Sequence, residues 1–254
     1  MMDMLLLGVA AFFAGFVDAI VGGGGLVQVP ALFSIMPGTV PATLLGTNKL
    51  ASIWGTAVAA RNYMQKVSVR WSMLLPAATM SFAFAFLGAY LVTHIPPTQL
   101  RKALPFILAA VAIYTFMKKD FGTHDRPLFS GNKEVMLAML VAAAIGFYDG
   151  FFGPGTGSFF MFLFVRIFGY DFLRASVVAK VLNVACNAAA LSWFGFSGHV
   201  LWVLGGIMAA CQIGGSLLGS HLAIRHGTGF VRKMFLLVVV ALICKTTYDG
   251  FFRV

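Results

Sequence analysis

Apolar residues fill this chain in runs of about 20, the length an α-helix needs to cross the hydrocarbon core of a bilayer. Polar residues gather in the short gaps between the runs. The pattern predicts spanning helices over 43–62, 71–93 and 99–118, and again over 174–195, 200–224 and 229–250. Ahead of each trio lies a longer apolar segment, 4–36 or 135–165, which exceeds a single crossing. The first is interrupted by four glycines, Gly22 to Gly25, and the second by GPGTG, from Gly153 to Gly157. Glycine and proline forfeit helix propensity and helical hydrogen bonds. Backbone freed in this way persists at membrane depth only where protein buries it or a wet cavity faces it. Each interrupted segment is therefore expected to be a broken hairpin that enters and leaves on one side.

The two halves of the pattern are copies. At a constant offset of 131 residues GFVDAIVGGGG, starting at Gly15, lies over GFYDGFFGPGT, starting at Gly146. The same offset places Asp18 on Asp149, Lys49 on Lys180 and Arg101-Lys102 on Arg232-Lys233. A duplicated, glycine-broken apolar segment followed by a lysine in each half points to the central site of a transporter. The expected fold class is all-α: a polytopic transmembrane bundle of two inverted repeats, each a broken hairpin plus three spanning helices. The first repeat takes 1–120, a linker 121–131, and the second repeat 132–254.

Three crossings plus a returning hairpin make an odd count, which inverts the second half. Basic residues collect on the cytoplasmic side of membrane proteins. With the N-terminus outside, twelve basic residues fall in cytoplasmic loops (Arg61, Lys66, Arg70, Lys118, Lys119, Arg126, Lys133, Arg166, Arg174, Arg225, Arg232, Lys233) against Arg101, Lys102 and Arg253 outside. Four plain crossings per half would instead make the repeats parallel. That arrangement needs the loop with Arg61, Lys66 and Arg70 and the nearly neutral FSGHV loop on the same side. The polar stretch from Lys118 to Glu134 joins the halves as a cytoplasmic tether, and its acids Asp120, Asp125 and Glu134 are expected only to keep it in water.

Composition agrees with the pattern. At 60% hydrophobic and 10% charged residues, with mean hydropathy +0.91, the chain has too little polar surface to cover a soluble globule. The opening MMDMLLLGVAAFF lacks the positive n-region of a secretory signal, so the first apolar stretch is expected to be retained. The net charge of +10 is strung singly along loops, which argues against nucleic acid as a partner. Cys186, Cys211 and Cys244 are widely spaced within apolar runs, and the five histidines show no metal-ligand spacing. No cofactor or metal is expected; the expected partners are a small anion, the lipid bilayer and, as an open option, a second copy of the chain.

The candidate chemistry centres on the two lysines. An ionised lysine at the centre of a membrane helix costs about 2.5–3.5 kcal/mol on insertion scales, so two at equivalent places need a partner or a purpose. An anion site is one reading; a lysine that pairs with an acid or snorkels to the interface is the other. Near Lys49 lie Thr47, Asn48, Ser52 and Thr56; Lys180, Asn183 and Asn187 share one helix face. At the breaks, Gly24, Gly25 and Gly155 would let backbone amides approach a ligand where a restarting helix offers its positive end. Gln28, Thr156 and Ser158 would add side-chain donors. Asp18 and Asp149 are expected to serve as counter-ions, proton carriers or helix caps. The Arg101-Lys102 and Arg232-Lys233 pairs read as headgroup anchors.

The segments GFVDAIVGGGGLVQVPAL, TNKLAS, GFYDGFFGPGTGSF and AKVLN resemble the sulfite exporter TauE/SafE family, also called the toluene sulfonate uptake permease family, and its YfcA-like branch most. The resemblance implies a multi-pass bacterial inner-membrane transporter of sulfite, sulfonates or other small sulfur-containing or organic anions. The second break departs from the first, because GPGTGSFFMF lacks the glycine run followed by proline that ends at Pro30. The expected function is secondary transport of a small anion, of the sulfite, sulfonate or thiosulfate class, and no GxxxxGK[ST] signature for nucleotide-driven pumping is present. An anion channel using the same duplicated pathway is the alternative. An intramembrane enzyme would need a nucleophile and a base, and no cysteine or histidine recurs beside the lysines.

Overall fold

The structure is a computed structural model. It describes the backbone of residues 2–117 and 125–252, and the side chains of 2–111, 125–227 and 230. Lys118, Lys119 and Asp120 of the linker, the side chains of Arg232, Lys233 and Cys244, and Arg253 lie outside the described residues.

The described chain is helical throughout: α1 (Met2–Val21), α2 (Gly25–Ile35), α3 (Pro41–Met64), α4 (Trp71–Thr93), α5 (Pro97–Met117), α6 (Gly131–Phe151), α7 (Thr156–Arg166), α8 (Phe172–Phe196) and α9 (Trp202–Phe252). Proline opens α3 and α5, where its missing N–H costs nothing. The Asp171 carboxylate caps α8 by accepting from Arg174 N at 2.8 Å. The last helix is interrupted at Gly227, whose dihedrals (φ 66°, ψ −161°) are not helical. That interruption separates the two crossings expected over 200–224 and 229–250.

Among the described residues, five helices are long and apolar enough to cross a membrane: α1, α4, α6, α8 and the Trp202–Gly227 part of α9. By contrast α2 and α7 have 11 residues each, about 16 Å of helix and half a bilayer. The two expected broken hairpins are thus α1–α2 and α6–α7. Their breaks are narrower than the glycine-rich motifs, for Gly25 and Thr156 already belong to the returning helices.

Contacts define the two ends of the bundle. At the end of α3, the Tyr63 ring meets Phe172 at the start of α8. Near the start of α3, Thr47 Oγ1 accepts from Leu201 N just beyond the end of α8. These two helices are therefore antiparallel, and the FSGHV loop lies at the opposite end of α3 from Arg61 to Arg70. Where α8 begins, Arg70 ion-pairs Glu134 at 2.8 Å and Arg174 pairs Asp125 at 3.1 Å. At the other end Arg101 donates to Thr39 O.

The linker acids are not idle. Glu134 is 1% exposed and accepts a hydrogen bond from the Tyr170 hydroxyl in addition to its pair with Arg70. Together with Asp125 it fastens the start of the second half to the α4 and α8 termini. Burial, and then the hydrogen bond to Glu134, push the Tyr170 phenol above its ordinary range. The sequence reading of Glu134 as a solvating group is corrected by its burial, and Asp125, although exposed, also ion-pairs Arg174; Asp120 lies outside the described residues.

The main helix contacts exchange under the 131-residue offset. Helix α1 packs on α9 as α6 packs on α4, and α3 packs on α9 as α8 packs on α4. The α1/α9 and α6/α4 crossings are closed by small residues. A Cβ on Gly15 or Gly150 would overlap the main chain of Gln212 or Ala85 respectively. One on Gly88 would strike Phe147 O, and one on Gly219 would strike Phe16 O. Such close approach replaces hydrophobic driving force, which lipid does not supply, with van der Waals contact between backbones.

Candidate functional site

The two breaks meet. Gly22 (φ +77°) ends α1, and its carbonyl accepts Ser158 N at 3.1 Å; the Ser158 hydroxyl donates to Val21 O at 2.7 Å. A Cβ on Gly22 would overlap the backbone of Gly157. The two interruptions therefore form one junction between the halves, and Ser158, expected as a ligand donor, is spent in tying it.

The glycines have distinct duties. Gly22, Gly153 (φ +97°) and Gly155 (φ +84°) occupy the left-handed region that side chains resist. Gly24 is helical (φ −55°, ψ −38°), so its need is room: a Cβ there would come within 2.6 Å of Ala14 O and 2.7 Å of Asp18 Cβ. Its neighbour Gly23 has no atom closer than 3.6 Å to such a Cβ. Gly24→Ala should therefore lower the thermal midpoint of the purified protein by several degrees, a cost of about 1–3 kcal/mol for overpacking, while Gly23→Ala should leave it nearly unchanged. Equal midpoints for the two variants would refute the close-approach account.

Around the junction lie the charged groups. Lys49 Nζ sits 2.5 Å from Asp149 Oδ2, and both residues are 2% exposed. The pair joins α3 of the first half to α6 of the second. Lys180 is 5% exposed and does not reproduce it: its Nζ donates to the main-chain oxygen of Asp18 at 2.9 Å and stands 5.3 Å from the Tyr63 ring centroid. Asp18 Oδ2 accepts the Thr56 hydroxyl at 3.0 Å, and Oδ1 accepts Gly24 N at 3.4 Å. Equivalent residues thus have unlike partners.

A polar cavity of about 20 Å³ separates these groups, lined by Asp18, Gly22, Gly25, Asn48, Lys49, Ser52, Thr56, Asp149, Gly153, Gly155, Thr156, Gly157, Asn183 and Asn187. A second, of about 10 Å³, shares Asp18, Gly22, Thr56, Gly157 and Asn183 and reaches Lys180. Each has room for about one water and none for an oxyanion. The starts of both half-helices, Gly25 of α2 and Thr156 of α7, face the larger cavity, which puts two positive helix ends on its wall. Thr156 also bonds back to Gly153 O at 2.8 Å, and Asn187 donates to Asn183 Oδ1 at 2.6 Å. Asn48 Oδ1 is buried without a hydrogen-bond partner.

Of the residues singled out from sequence, Gln28 is fully buried with both amide atoms unpartnered, and it does not line either cavity. Thr47 serves the α8–α9 turn. Two cavity-lining groups, Ser176 and Met161, and the Tyr63 ring escaped sequence reading, because none sits at a matched polar position in both halves. The periodicity of α3 could have placed Tyr63 on the face of Lys49 and Thr56.

A bundle of apolar helices with two half-length elements meeting around a buried, charged cavity belongs to the class of multi-pass membrane proteins. The sequence pattern of the family described as Sulfite exporter TauE/SafE matches residues 7–246, and the chain belongs to that family. It is 39% identical to "Probable membrane transporter protein ORF9" of Sinorhizobium sp over 97% of this chain and 93% of that one. It is 35% identical to a "Probable membrane transporter protein" of Haemophilus influenzae, covering 99% and 98% of the two chains. To "Probable membrane transporter protein YfcA" of Escherichia coli K12 it is 34% identical, covering 98% and 93%. No solved structure matches it significantly.

Proposed function

We propose that the protein is a secondary transporter that moves a small, sulfur-containing anion across the bacterial inner membrane by alternating access between two inverted halves. The observation that carries this reading is the pair of small, adjoining cavities at the junction of the breaks. Between them they bring two lysines, amide side chains and two half-helix N-termini from both halves to one place. A cavity that holds about one water cannot contain an oxyanion, so loading requires the halves to part on one side at a time. The antiparallel course of α3 and α8, with the hairpins closing toward opposite ends, supports the inversion. The family's description as a sulfite exporter supports a small sulfur-containing anion as the substrate class. Arg70, Arg126, Lys133 and Arg174 share the linker end, which supports a cytoplasmic linker and external termini.

Of the two lysines at the cavities, Lys49 is paired with Asp149 whereas Lys180 bonds only a main-chain oxygen among the described residues, so Lys180 is assigned the substrate's charge. The test is thermal stabilisation of the purified protein by sulfite, methanesulfonate, thiosulfate and sulfate, followed by counterflow in proteoliposomes with the best ligand. Stabilisation grows with ligand concentration by mass action. It should be lost in Lys180→Gln, and labelled anion should exchange saturably with unlabelled. No response from any of these anions would refute the anion site; flux without saturation would identify a channel.

A further inference from the structure

We propose that Asp18 takes up a proton each time a monovalent anion enters the site, so that the two cross the membrane together. This inference rests on the anion site proposed above and adds its coupling ion and its proton carrier. The central cavities hold two ammonium groups, Lys49 and Lys180, and two carboxylates, Asp18 and Asp149, whose formal charges cancel. An arriving anion leaves this enclosure with one uncompensated negative charge, which the surrounding apolar helices disfavour strongly. One added proton restores neutrality.

Geometry selects the acceptor. Asp149 is engaged by Lys49 at 2.5 Å, and protonating it would break an ion pair that joins the two halves. Among the described residues the Asp18 carboxylate is held only by the Thr56 hydroxyl and the Gly24 N–H, and Lys180 binds its main-chain oxygen and not its carboxylate. A protonated Asp18 keeps a carbonyl oxygen to accept one of these bonds and gains an O–H to offer the anion or Asn183 across the shared cavity. The residue capping α2, Gly24, presents its N–H, α3 presents Thr56, Lys49 and the Tyr63 phenol that donates to Ala19 O, and α6 presents Asp149. Helix α7 presents Gly157, α8 presents Lys180 and Asn183, and α9 presents Ser216, bonded to Gly15 O. The ionisable members of this set are Lys49, Lys180, Tyr63 and Asp149.

The transfer is a simple one. At the open face a hydronium ion gives a proton to an Asp18 carboxylate oxygen, leaving water, as the anion pairs with Lys180. At the other face the O–H returns its proton to water as the anion leaves. Linkage then requires that protons and anion strengthen each other's binding equally.

The experiment uses the full-length purified protein and methanesulfonate, thiosulfate and sulfate, whose charges do not titrate near neutral pH, so that any proton taken up belongs to the protein. Titration calorimetry in buffers of different ionisation enthalpy counts the protons. The parent should take up about one proton per methanesulfonate, with affinity weakening by up to about tenfold per unit of rising pH. Asp18→Asn should bind the anion with no proton uptake and little pH dependence. The control Asp3→Asn, an exposed carboxylate at the start of α1 and away from both cavities, should keep the uptake. Should Asp18→Asn fail to fold, infrared difference spectra of the parent still decide: methanesulfonate should raise a protonated-carboxyl band that Asp18→Glu shifts and retains. Binding without proton uptake, or uptake that survives in Asp18→Asn, overturns the proposal while leaving the anion site standing. Absence of binding by all three anions overturns the site itself and this inference with it.

Discussion

Lys49→Gln is expected to lower the thermal midpoint of the purified protein by about 10 °C, corresponding to about 3–5 kcal/mol for removing one partner of a buried ion pair. The loss has a specific origin. Asp149 is 2% exposed, and without Lys49 its carboxylate keeps its desolvation cost and loses the cation 2.5 Å away. The double variant Lys49→Gln/Asp149→Asn removes both charges and leaves two amides able to bond to each other, so most of the midpoint should return. Lys180→Gln should not show this loss, because its ammonium bonds a main-chain oxygen and leaves no carboxylate stranded. The comparison separates the equivalent lysines by role: Lys49 joins the halves, and Lys180 stays available. If Lys49→Gln melts with the parent, or if the double variant is no better than the single one, the ion pair does not hold the halves together.

Gly150→Val should have the largest effect of any single change in the second half. Its Cβ would lie inside the van der Waals shell of the Ala85 carbonyl, between two helices already in backbone contact through Gly88 of α4 and Gly146 of α6. No rotamer relieves a Cβ overlap with main chain, so α4 and α6 must separate and the contact along their length is lost. Overpacking ordinarily costs about 1–3 kcal/mol, and a shift of a whole crossing exceeds that. The expected result is loss of monodisperse protein, or a midpoint at least about 10 °C below the parent. Gly15→Val, at the corresponding α1/α9 crossing, should behave alike, since its Cβ would overlap Gln212. Gly206→Val is the control, because nothing stands within 4 Å of its Cβ. A well-behaved Gly150→Val protein with parental melting would mean that these helices cross farther apart than they do here.

Both predictions concern residues that the sequence marked for other reasons. Gly15 and Gly146 stood out as part of a repeated segment, yet the structure uses them to seat α1 on Gln212 and α6 on Ser81. Ser158 read as a possible ligand donor and instead bonds Val21 O. Glu134 read as a solvating acid and is buried between Arg70 and Tyr170. In each case the residue type was correctly noticed, while its partner lay more than 30 residues away in the chain and no local pattern names such a partner.

What the sequence determined by itself was the course of the chain: the helices, the two interrupted hairpins and the register that superimposes one half on the other. Those features are local. Twenty apolar residues in lipid must close their backbone hydrogen bonds within the segment, and glycine or proline breaks them wherever it interrupts the run. Tertiary structure alone decided that the two breaks touch through Gly22 and Gly157, and that Lys49 crosses to Asp149. It also decided that Lys180, its copy, is left with a carbonyl and an aromatic face. A duplicated sequence specifies equivalent positions, but side-chain partners depend on non-equivalent neighbours. Tyr63 corresponds to Phe194, and Thr56 to Asn187, so the same lysine and aspartate in the two halves meet different chemistry. The packing of unlike neighbours around like residues turned a symmetric sequence into an asymmetric site.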